Sequence, residues 1–192
     1  MQRVIVIGVT GSGKSTLAHR LGALIEAPVV ELDDLHWLLG WQKRNVAEFR
    51  ALTAAATETD RWIVVGNYGQ LRDLIWPRAD TVVWLDYGFW RCLRQLLSRC
   101  VRRVVDQQVI CNGNRESWRQ LLSRDSIVLW LLRTYRRRRR DYPALVDGRL
   151  YPNLCAIRLR HPRQAAQFLA AHRQATPAPE TTARTASPGP SP

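Results

Sequence analysis

The segment Gly-Val-Thr-Gly-Ser-Gly-Lys-Ser at residues 8–15 decides the fold of this chain. It directly follows the apolar run Val-Ile-Val-Ile at residues 4–7, and this order predicts a buried strand, a glycine-rich turn and a helix that begins at Lys14. In such a loop the backbone N–H groups and the helix N-terminus converge on an anion, and the lysine reaches the β- and γ-phosphates. The segment therefore predicts that the chain binds a nucleoside triphosphate.

Each residue type in this loop has a predicted task. Glycines let the backbone approach the phosphates closely, Lys14 neutralises the phosphate that is transferred, and the Ser15 hydroxyl is placed to bind Mg²⁺. The cofactors predicted from the loop are ATP and Mg²⁺. The residues predicted to hold them are Gly8, Thr10, Gly11, Ser12, Gly13, Lys14, Ser15 and Thr16.

The composition indicates one globular domain with a strong positive charge. The chain has 192 residues, of which 46% are hydrophobic, and its net charge is +13. Lys14 and Lys43 are the only lysines, so the basic residues are almost all arginine, which binds phosphates bidentately. The charge suits phosphorylated substrates and solvated helix faces, and a nucleic acid bound through arginine-rich helices stays an alternative partner.

The cysteines and the apolar segments predict a cytoplasmic protein. Cys92, Cys100, Cys111 and Cys155 form no Cys-x-x-Cys pair, which is typical of reduced thiols. The first apolar stretch is too short for a signal peptide, and residues 127–132 are too short to span a membrane. We therefore expect a soluble chain without a membrane span.

Alternating apolar runs and amphipathic segments predict a three-layer α/β fold with a parallel sheet. Strands are expected at residues 4–7, 28–32, 62–65, 81–85 and 156–159, and helices at 15–25, 46–57, 89–105, 117–140 and 163–172. This domain is predicted to span residues 1–173. Residues 174–192 are rich in Pro, Ser, Thr and Ala and are predicted to be disordered.

Ligands of such sheets bind at the carboxyl ends of the strands, where several polar residues of this chain are expected to meet. Asp33 is the candidate for binding or deprotonating an acceptor hydroxyl, and the alternative is that it caps the next segment. His36 is a second acceptor-site candidate or else a polar loop residue. Asn67 and Tyr68 either position substrate or water or serve the turn after their strand. Asp86 ends a strand and is more simply explained as structural than as a metal ligand.

An arginine-rich helix and a Gly/Asn segment are predicted to form a lid at residues 102–117. Arg99 is expected to contact the nucleotide, and Arg103 and Arg115 are candidate catalytic residues that gain partners when phosphates arrive. The five arginines at residues 136–140 point in all directions on a helix. They form a solvated helix end, a polyanion-binding patch or a site for a substrate phosphate.

Missing motifs restrict the class of protein. No Asn-Lys-x-Asp motif for guanine selection follows the phosphate loop, and no strand ends in the Asp-Glu pair that is typical of motor and transport ATPases. A compact kinase remains, with an acceptor site after the second strand and an arginine-bearing lid after the fourth.

Four segments together resemble the bacterial adenylate-kinase-like ATPases, which are often labelled DNA topology modulation proteins. They are the phosphate loop, Glu-Leu-Asp-Asp-Leu-His-Trp at 31–37, Trp-Ile-Val-Val-Gly-Asn-Tyr at 62–68 and Asn-Gly-Asn-Arg-Glu-Ser at 112–117. The resemblance covers residues 3–170 and implies a nucleotide- and shikimate-kinase-like fold. Members of this family usually carry Asp where this chain has Val65, a departure that bears on Mg²⁺ binding and on catalytic competence.

The sequence thus predicts an ATP- and Mg²⁺-dependent kinase of a small molecule. The alternatives are a nucleotide-dependent protein that associates with nucleic acid and an ATP-binding protein with weak turnover. No motif identifies the phosphoryl acceptor or the oligomeric state.

Overall fold

The computed structural model describes residues 1–175, which form a five-stranded parallel sheet with two small hairpins. The sheet strands are β1 (Arg3–Gly8), β2 (Val29–Glu31), β5 (Trp62–Val65), β6 (Thr81–Leu85) and β9 (Cys155–Leu159). Their order across the sheet is β2-β5-β1-β6-β9. The hairpins pair β3 (Trp37–Leu38) with β4 (Gln42–Lys43) and β7 (Val109–Ile110) with β8 (Asn114–Arg115).

Eight α-helices connect and cover these strands within the described part of the chain. They are α1 (Lys14–Ile25), α2 (Leu32–His36), α3 (Val46–Ala56), α4 (Arg72–Ile75), α5 (Phe89–Val105), α6 (Trp118–Leu121), α7 (Ile127–Val146) and α8 (Pro162–Ala175). Short 3₁₀ segments lie at 39–41, 69–71 and 76–78.

Both faces of the three central strands, β5, β1 and β6, are buried, which explains why these strands are largely apolar runs. In β1, Val4 and Val6 belong to a core cluster that includes side chains of α1, α5 and α7, and partly buried side chains of α8 pack against it. The alternate residues, Ile5 and Ile7, belong to a second cluster on the opposite face, together with Phe49 of α3. The predicted three-layer α/β fold with a parallel sheet is therefore confirmed.

The strand register brings three chain segments to one edge of the sheet. Glu31 at the end of β2 is paired with Val65 at the end of β5, and Val65 is paired in turn with Val6 of β1. Because these strands are parallel, the residues that follow each of them emerge side by side. The phosphate loop, α2 and the turn after β5 therefore share this edge.

The prediction of one helix over residues 117–140 is wrong. Two serine N-caps start two separate helices, because each serine satisfies backbone N–H groups that would otherwise lack partners. Ser117 accepts a hydrogen bond from the backbone N–H of Gln120, whose side chain accepts one from the Ser117 N–H. Ser126 accepts a hydrogen bond from the Val128 N–H and starts α7.

Helix α7 also continues beyond its predicted end and runs through Pro143 to Val146. Its last turns stay attached to the domain because Tyr142 and Leu145 are buried in the second core cluster. The Tyr142 ring meets the Trp84 ring edge-on, with their centroids 5.7 Å apart. Tertiary packing therefore outweighs the local cost of the proline.

Two predicted loops contain regular structure. The predicted second strand included Leu32 and was followed by a loop. In the structure β2 ends at Glu31, and the next residues form helix α2. The predicted lid contains the β7–β8 hairpin, whose turn places Cys111, Asn112 and Gly113 at positive φ. Helix α8 extends to Ala175, and the rest of the predicted disordered tail lies outside the described residues.

Candidate nucleotide and acceptor site

The phosphate loop joins β1 to α1 with two glycines in the left-handed region of φ. Gly11 has φ 79° and Gly13 has φ 87°, conformations that side chains rarely adopt. At Gly11 space is also lacking, because a Cβ there would lie 2.3 Å from the carbonyl oxygen of Cys92. The loop consequently packs against the backbone of α5, and its first helical residue is Lys14.

Lys14 lies folded over this loop. Its Nζ donates a 3.1 Å hydrogen bond to the carbonyl oxygen of Val9. The pKa of Lys14 is lowered from 10.5 to about 8, chiefly because the ammonium is buried; the Asp33 carboxylate opposes this shift, and the charges of Arg138 and Arg99 add to it. A bound phosphate would supply the negative charge that favours the ammonium form, so this pocket fits an anion.

A cleft of about 890 Å³ opens beside the loop. It is bounded by the phosphate loop, by the ends of β2 and β5 and by one face of α5. The residues that line it are Thr10, Gly11, Gly13, Lys14, Ser15, Thr16, Glu31, Asp33, Val65, Gly66, Trp90, Arg91, Arg94, Gln95, Ser98, Arg99, Arg102, Arg103, Gln108 and Ile127. Lys14 and Asp33 therefore face the same space, as a phosphoryl donor and its acceptor would require.

Asp33 lies in the first turn of α2 and is exposed to the cleft. The Tyr68 hydroxyl donates a 2.5 Å hydrogen bond to Asp33 Oδ1 from the turn after β5. Burial and the neighbouring Asp33 charge raise the pKa of Tyr68, so its phenol stays a proton donor. The two residues that the sequence treated as separate candidates are thus one hydrogen-bonded pair.

His36 and Asn67 do not line the cleft. His36 is buried at the end of α2, where its ring contacts the rings of Trp37, Phe49 and Tyr68. Burial lowers the pKa of His36, which favours the neutral imidazole. The Asn67 Oδ1 atom is buried, and no hydrogen-bond partner for it lies within residues 1–175.

Glu31 is a site residue that the sequence analysis missed. It ends β2, lines the cleft and interacts with the hydroxyl of Ser15, while His19 Nε2 lies 3.5 Å from its Oε1. Burial raises the pKa of Glu31, and the hydrogen bond with Ser15 opposes that rise. The sequence could have indicated this residue, because Glu31 directly follows the apolar pair Val29-Val30 and therefore lies at the carboxyl end of a predicted strand, at the ligand-binding edge of the sheet.

Helix α5 supplies most of the positive charge of the cleft. Arg99 is half-buried, its Nε has no hydrogen-bond partner within the described residues, and burial and Arg103 lower its pKa. Arg103 donates a 2.9 Å hydrogen bond to Glu116, so it has a partner before any phosphate arrives, contrary to our expectation. Arg115 is exposed on β8 and does not line the cleft.

Asp86 is held by two arginines from outside the cleft. Its Oδ2 accepts hydrogen bonds of 2.6 and 3.0 Å from Arg158, and Arg139 Nε lies 3.3 Å from its Oδ1. The Arg158 guanidinium also lies over the Trp84 ring, 4.2 Å from its centroid. These contacts join β6, β9 and α7, so the geometry gives Asp86 a structural task.

The arginines at 136–140 have different surroundings. Arg139 pairs with Asp86, and Arg140 pairs with Asp141. Arg138 is half-buried and close enough to Lys14 to lower its pKa. Arg136 and Arg137 are exposed and have no acidic partner within residues 1–175.

Across residues 1–175, no three His, Cys, Asp or Glu side chains are grouped so that they could hold a metal ion by themselves. Ser15 and Glu31 nevertheless fit the hard oxygen ligands that Mg²⁺ accepts when phosphate oxygens complete its shell. None of the described helices is both long and apolar enough to cross a membrane.

Comparisons with known proteins give similarity at the level of structure only. No protein family and no curated protein sequence matches the chain. A gluconokinase from Sinorhizobium meliloti is similar in structure at 18% identity, with a TM-score of 0.48 and coverage of 91% of this chain and 94% of that one.

Two shikimate kinases show comparable values. The enzyme from Bacteroides thetaiotaomicron has 14% identity and a TM-score of 0.48, with coverage of 91% of this chain and 97% of that one. The enzyme from Acinetobacter baumannii, solved with shikimate, has 13% identity and a TM-score of 0.49, with coverage of 89% and 92%. At these identities the similarity concerns the fold alone, and none of these comparisons shows the DNA topology modulation family that the motifs resemble.

Proposed function

We propose that this chain is an ATP- and Mg²⁺-dependent kinase that phosphorylates a hydroxyl group of a small acceptor. The observation that carries the proposal is that Lys14 of the phosphate loop and the Asp33 carboxylate line one cleft. A phosphate-binding lysine and a carboxylate that can accept a proton are what phosphoryl transfer to a hydroxyl needs from a protein.

In this proposal ATP and the acceptor bind side by side in the cleft that α5 lines. The loop backbone and Lys14 hold the phosphates of ATP, and Asp33 accepts a hydrogen bond from the acceptor hydroxyl. The acceptor oxygen forms a bond to the γ-phosphorus, the bond from that phosphorus to the β–γ bridging oxygen breaks, and ADP leaves. Asp33 takes the hydroxyl proton, and Arg99 and Arg103 stabilise the negative charge on the transferred group.

Ser15 and Glu31 are the residues that would hold Mg²⁺, Ser15 directly and Glu31 through its position beside that hydroxyl. When bound, the ion neutralises charge on the phosphate oxygens. Glu31 also bears on the alternative of an ATP-binding protein with weak turnover, because it is paired across the sheet with Val65. In this proposal Glu31 on β2 supplies the carboxylate that members of the resembling family usually carry at the position of Val65 on β5.

The test is a screen of nucleosides, nucleotides and small metabolites for compounds that stimulate ADP release from Mg-ATP, with phosphorus NMR to identify the product. Lys14→Ala is the matched control, since the residue makes one hydrogen bond in the described structure and lies at the cleft. We expect stimulation by one chemical class in the parent protein and its loss in the variant. Equal ADP release by both proteins would refute the assignment of the phosphate loop.

One surface keeps the nucleic-acid alternative open. Arg133, Arg136, Arg137 and Arg140 are exposed and recur at helical spacing along one side of α7. If they bind a duplex, affinity for DNA should fall steeply as salt rises, and alanine at all four positions should reduce that slope. Salt-independent or absent binding would eliminate this alternative, whereas kinase turnover is not expected to depend on these arginines.

A further inference from the structure

Tyr68 and Asp33 are joined across two adjacent strands. Asp33 follows β2 by two residues and Tyr68 follows β5 by three, and the pairing of Glu31 with Val65 brings both positions to the same edge of the sheet. The resulting hydrogen bond links residues that are 35 positions apart in sequence. It is therefore a product of the sheet order rather than of local turn geometry.

The Tyr68 ring packs against two buried rings, which also contact each other. Its centroid lies 4.8 Å from that of His36 and 5.2 Å from that of Phe49, and both neighbours are buried. A ring fixed in this way keeps its hydroxyl at one place. The hydroxyl donates to Oδ1 of Asp33, which leaves Oδ2 as the carboxylate oxygen without that bond.

The two residues differ in their relation to the cleft. Asp33 is among the residues that line it, whereas Tyr68 is not. Tyr68 therefore contacts a cleft residue, Asp33, without lining the cleft itself. This arrangement separates the residue that meets the acceptor from the residue that orients it.

We propose that Tyr68 is a positioning residue whose hydroxyl holds Oδ1 of Asp33, so that Oδ2 is presented to the acceptor hydroxyl. The inference rests on the proposed kinase function. It assigns to Tyr68 a task different from the substrate contact that the sequence suggested. Without the Tyr68 hydroxyl, the Asp33 carboxylate on the five-residue helix α2 can rotate freely. It then spends less time in the orientation that suits proton transfer.

The first measurement uses Tyr68→Phe, which removes the hydroxyl and keeps the ring among His36 and Phe49. With gluconate, shikimate and AMP as probe acceptors, and with Mg-ATP hydrolysis in their absence, we expect kcat to fall about tenfold. The Kd for Mg-ATP and the Tm should stay at their parent values. Tyr151→Phe is the matched control, because Tyr151 precedes β9 at the opposite edge of the sheet and packs on Trp76.

The second measurement is a double-mutant cycle with Asp33→Ala. If Tyr68 acts through Asp33, adding Tyr68→Phe to Asp33→Ala lowers the residual kcat no further. A loss of the same size in both backgrounds, or an unchanged kcat in Tyr68→Phe alone, would overturn the inference. Hydrogen exchange without nucleotide should also rise across residues 32–36 in Tyr68→Phe and stay constant across α3, and equal exchange in both segments would contradict the proposed contact.

These outcomes are distinct from a failure of the proposed function. That failure would appear in the parent protein, as turnover that Lys14→Ala leaves unchanged. The positioning role of Tyr68 fails instead when the parent protein shows Lys14-dependent turnover that Tyr68→Phe does not reduce.

Discussion

Asn114 holds the backbone of Trp41, whose N–H donates a 2.9 Å hydrogen bond to Asn114 Oδ1 across 73 positions of sequence. The same side chain donates through Nδ2 to the carbonyl oxygen of Leu38. Its neighbour Asn112 donates to the carbonyl oxygens of Asp34 and Trp37 at 2.6 and 2.7 Å. The tip of the β7–β8 hairpin is therefore fastened to the segment that carries Asp33.

Asn114→Ala is expected to destabilise the protein by about 1–3 kcal/mol, because Asn114 is buried and its loss leaves backbone groups of the 38–41 segment without partners. Urea unfolding measures this loss, and hydrogen exchange should increase across residues 107–116. Asn153→Ala, at an exposed position before β9, is the matched control and should change neither quantity. Equal stability of the two variants would show that the hairpin contact contributes nothing.

The depressed pKa of Lys14 predicts the pH dependence of ATP binding. In the folded, ligand-free protein its pKa is about 8 instead of 10.5, so the charged form carries an energetic cost that is fully present below pH 8 and is relieved as pH rises towards 10.5. Bound phosphate favours the charged form of Lys14, so Mg-ATP should bind more weakly above pH 8. Binding at such a pH should be coupled to the uptake of a proton by Lys14.

Calorimetry in buffers of different ionisation enthalpy measures that proton uptake. Lys14→Met, which keeps the length of the side chain and removes its charge, should show weak binding with no such uptake. The same variant should be more stable than the parent below pH 8, and this difference should shrink as pH rises. A parent protein that binds ATP without proton exchange above pH 8 would contradict the pKa shift.

Glu31→Gln is expected to raise the Mg²⁺ concentration needed for half-maximal ADP release by about tenfold, because it removes a negative charge beside the Ser15 hydroxyl. Adding Val65→Asp to this variant should restore part of the Mg²⁺ affinity, since Val65 is paired with Glu31 and lines the same cleft. Magnesium titrations of the single and double variants test both statements. Unchanged Mg²⁺ dependence in Glu31→Gln would remove Glu31 from the metal site.

Arg103→Ala and Arg115→Ala should lower kcat more than they weaken ATP binding if, as proposed, closure of the 102–117 segment serves the transition state. Arg103 would exchange Glu116 for phosphate oxygens during closure. Steady-state kinetics with calorimetric Kd values separates the two effects, and Arg149→Ala, an exposed arginine before β9, is the control.

Hydrogen exchange across residues 102–117 tests the lid itself. We expect exchange to slow when Mg-ATP and an acceptor bind together. High protection in the free protein that ligands do not change would show that this segment is no lid.

The phosphate loop and the sheet strands followed from the sequence because their signals are local. Four consecutive apolar residues before a glycine-rich turn specify a buried strand and an anion site wherever that strand lies in the sheet. Strands β5 and β6 were predicted at their observed bounds for the same reason, since both contain four consecutive apolar residues and are followed by a glycine or an aspartate.

Contacts between distant segments were decided only by the tertiary structure. Tyr68 meets Asp33 because β2 lies beside β5, and Glu31 at the end of β2 interacts with Ser15, which follows β1 on the other side of β5. The composition of either segment contains no sign of that neighbour. The end of α7 was missed likewise, since burial of Tyr142 and Leu145 carries the helix through Pro143.

The sequence alone thus predicted the glycine-rich loop at residues 8–15, the strands and the edge of the sheet where polar residues gather. The tertiary structure decided which carboxylate lies beside the Ser15 hydroxyl, which arginine already has an acidic partner and which hydroxyl donates to Asp33. The physical reason is the range of the interactions: strand and loop formation depend on neighbours in sequence, whereas hydrogen bonds and ion pairs in the site join side chains brought together by the order of the strands.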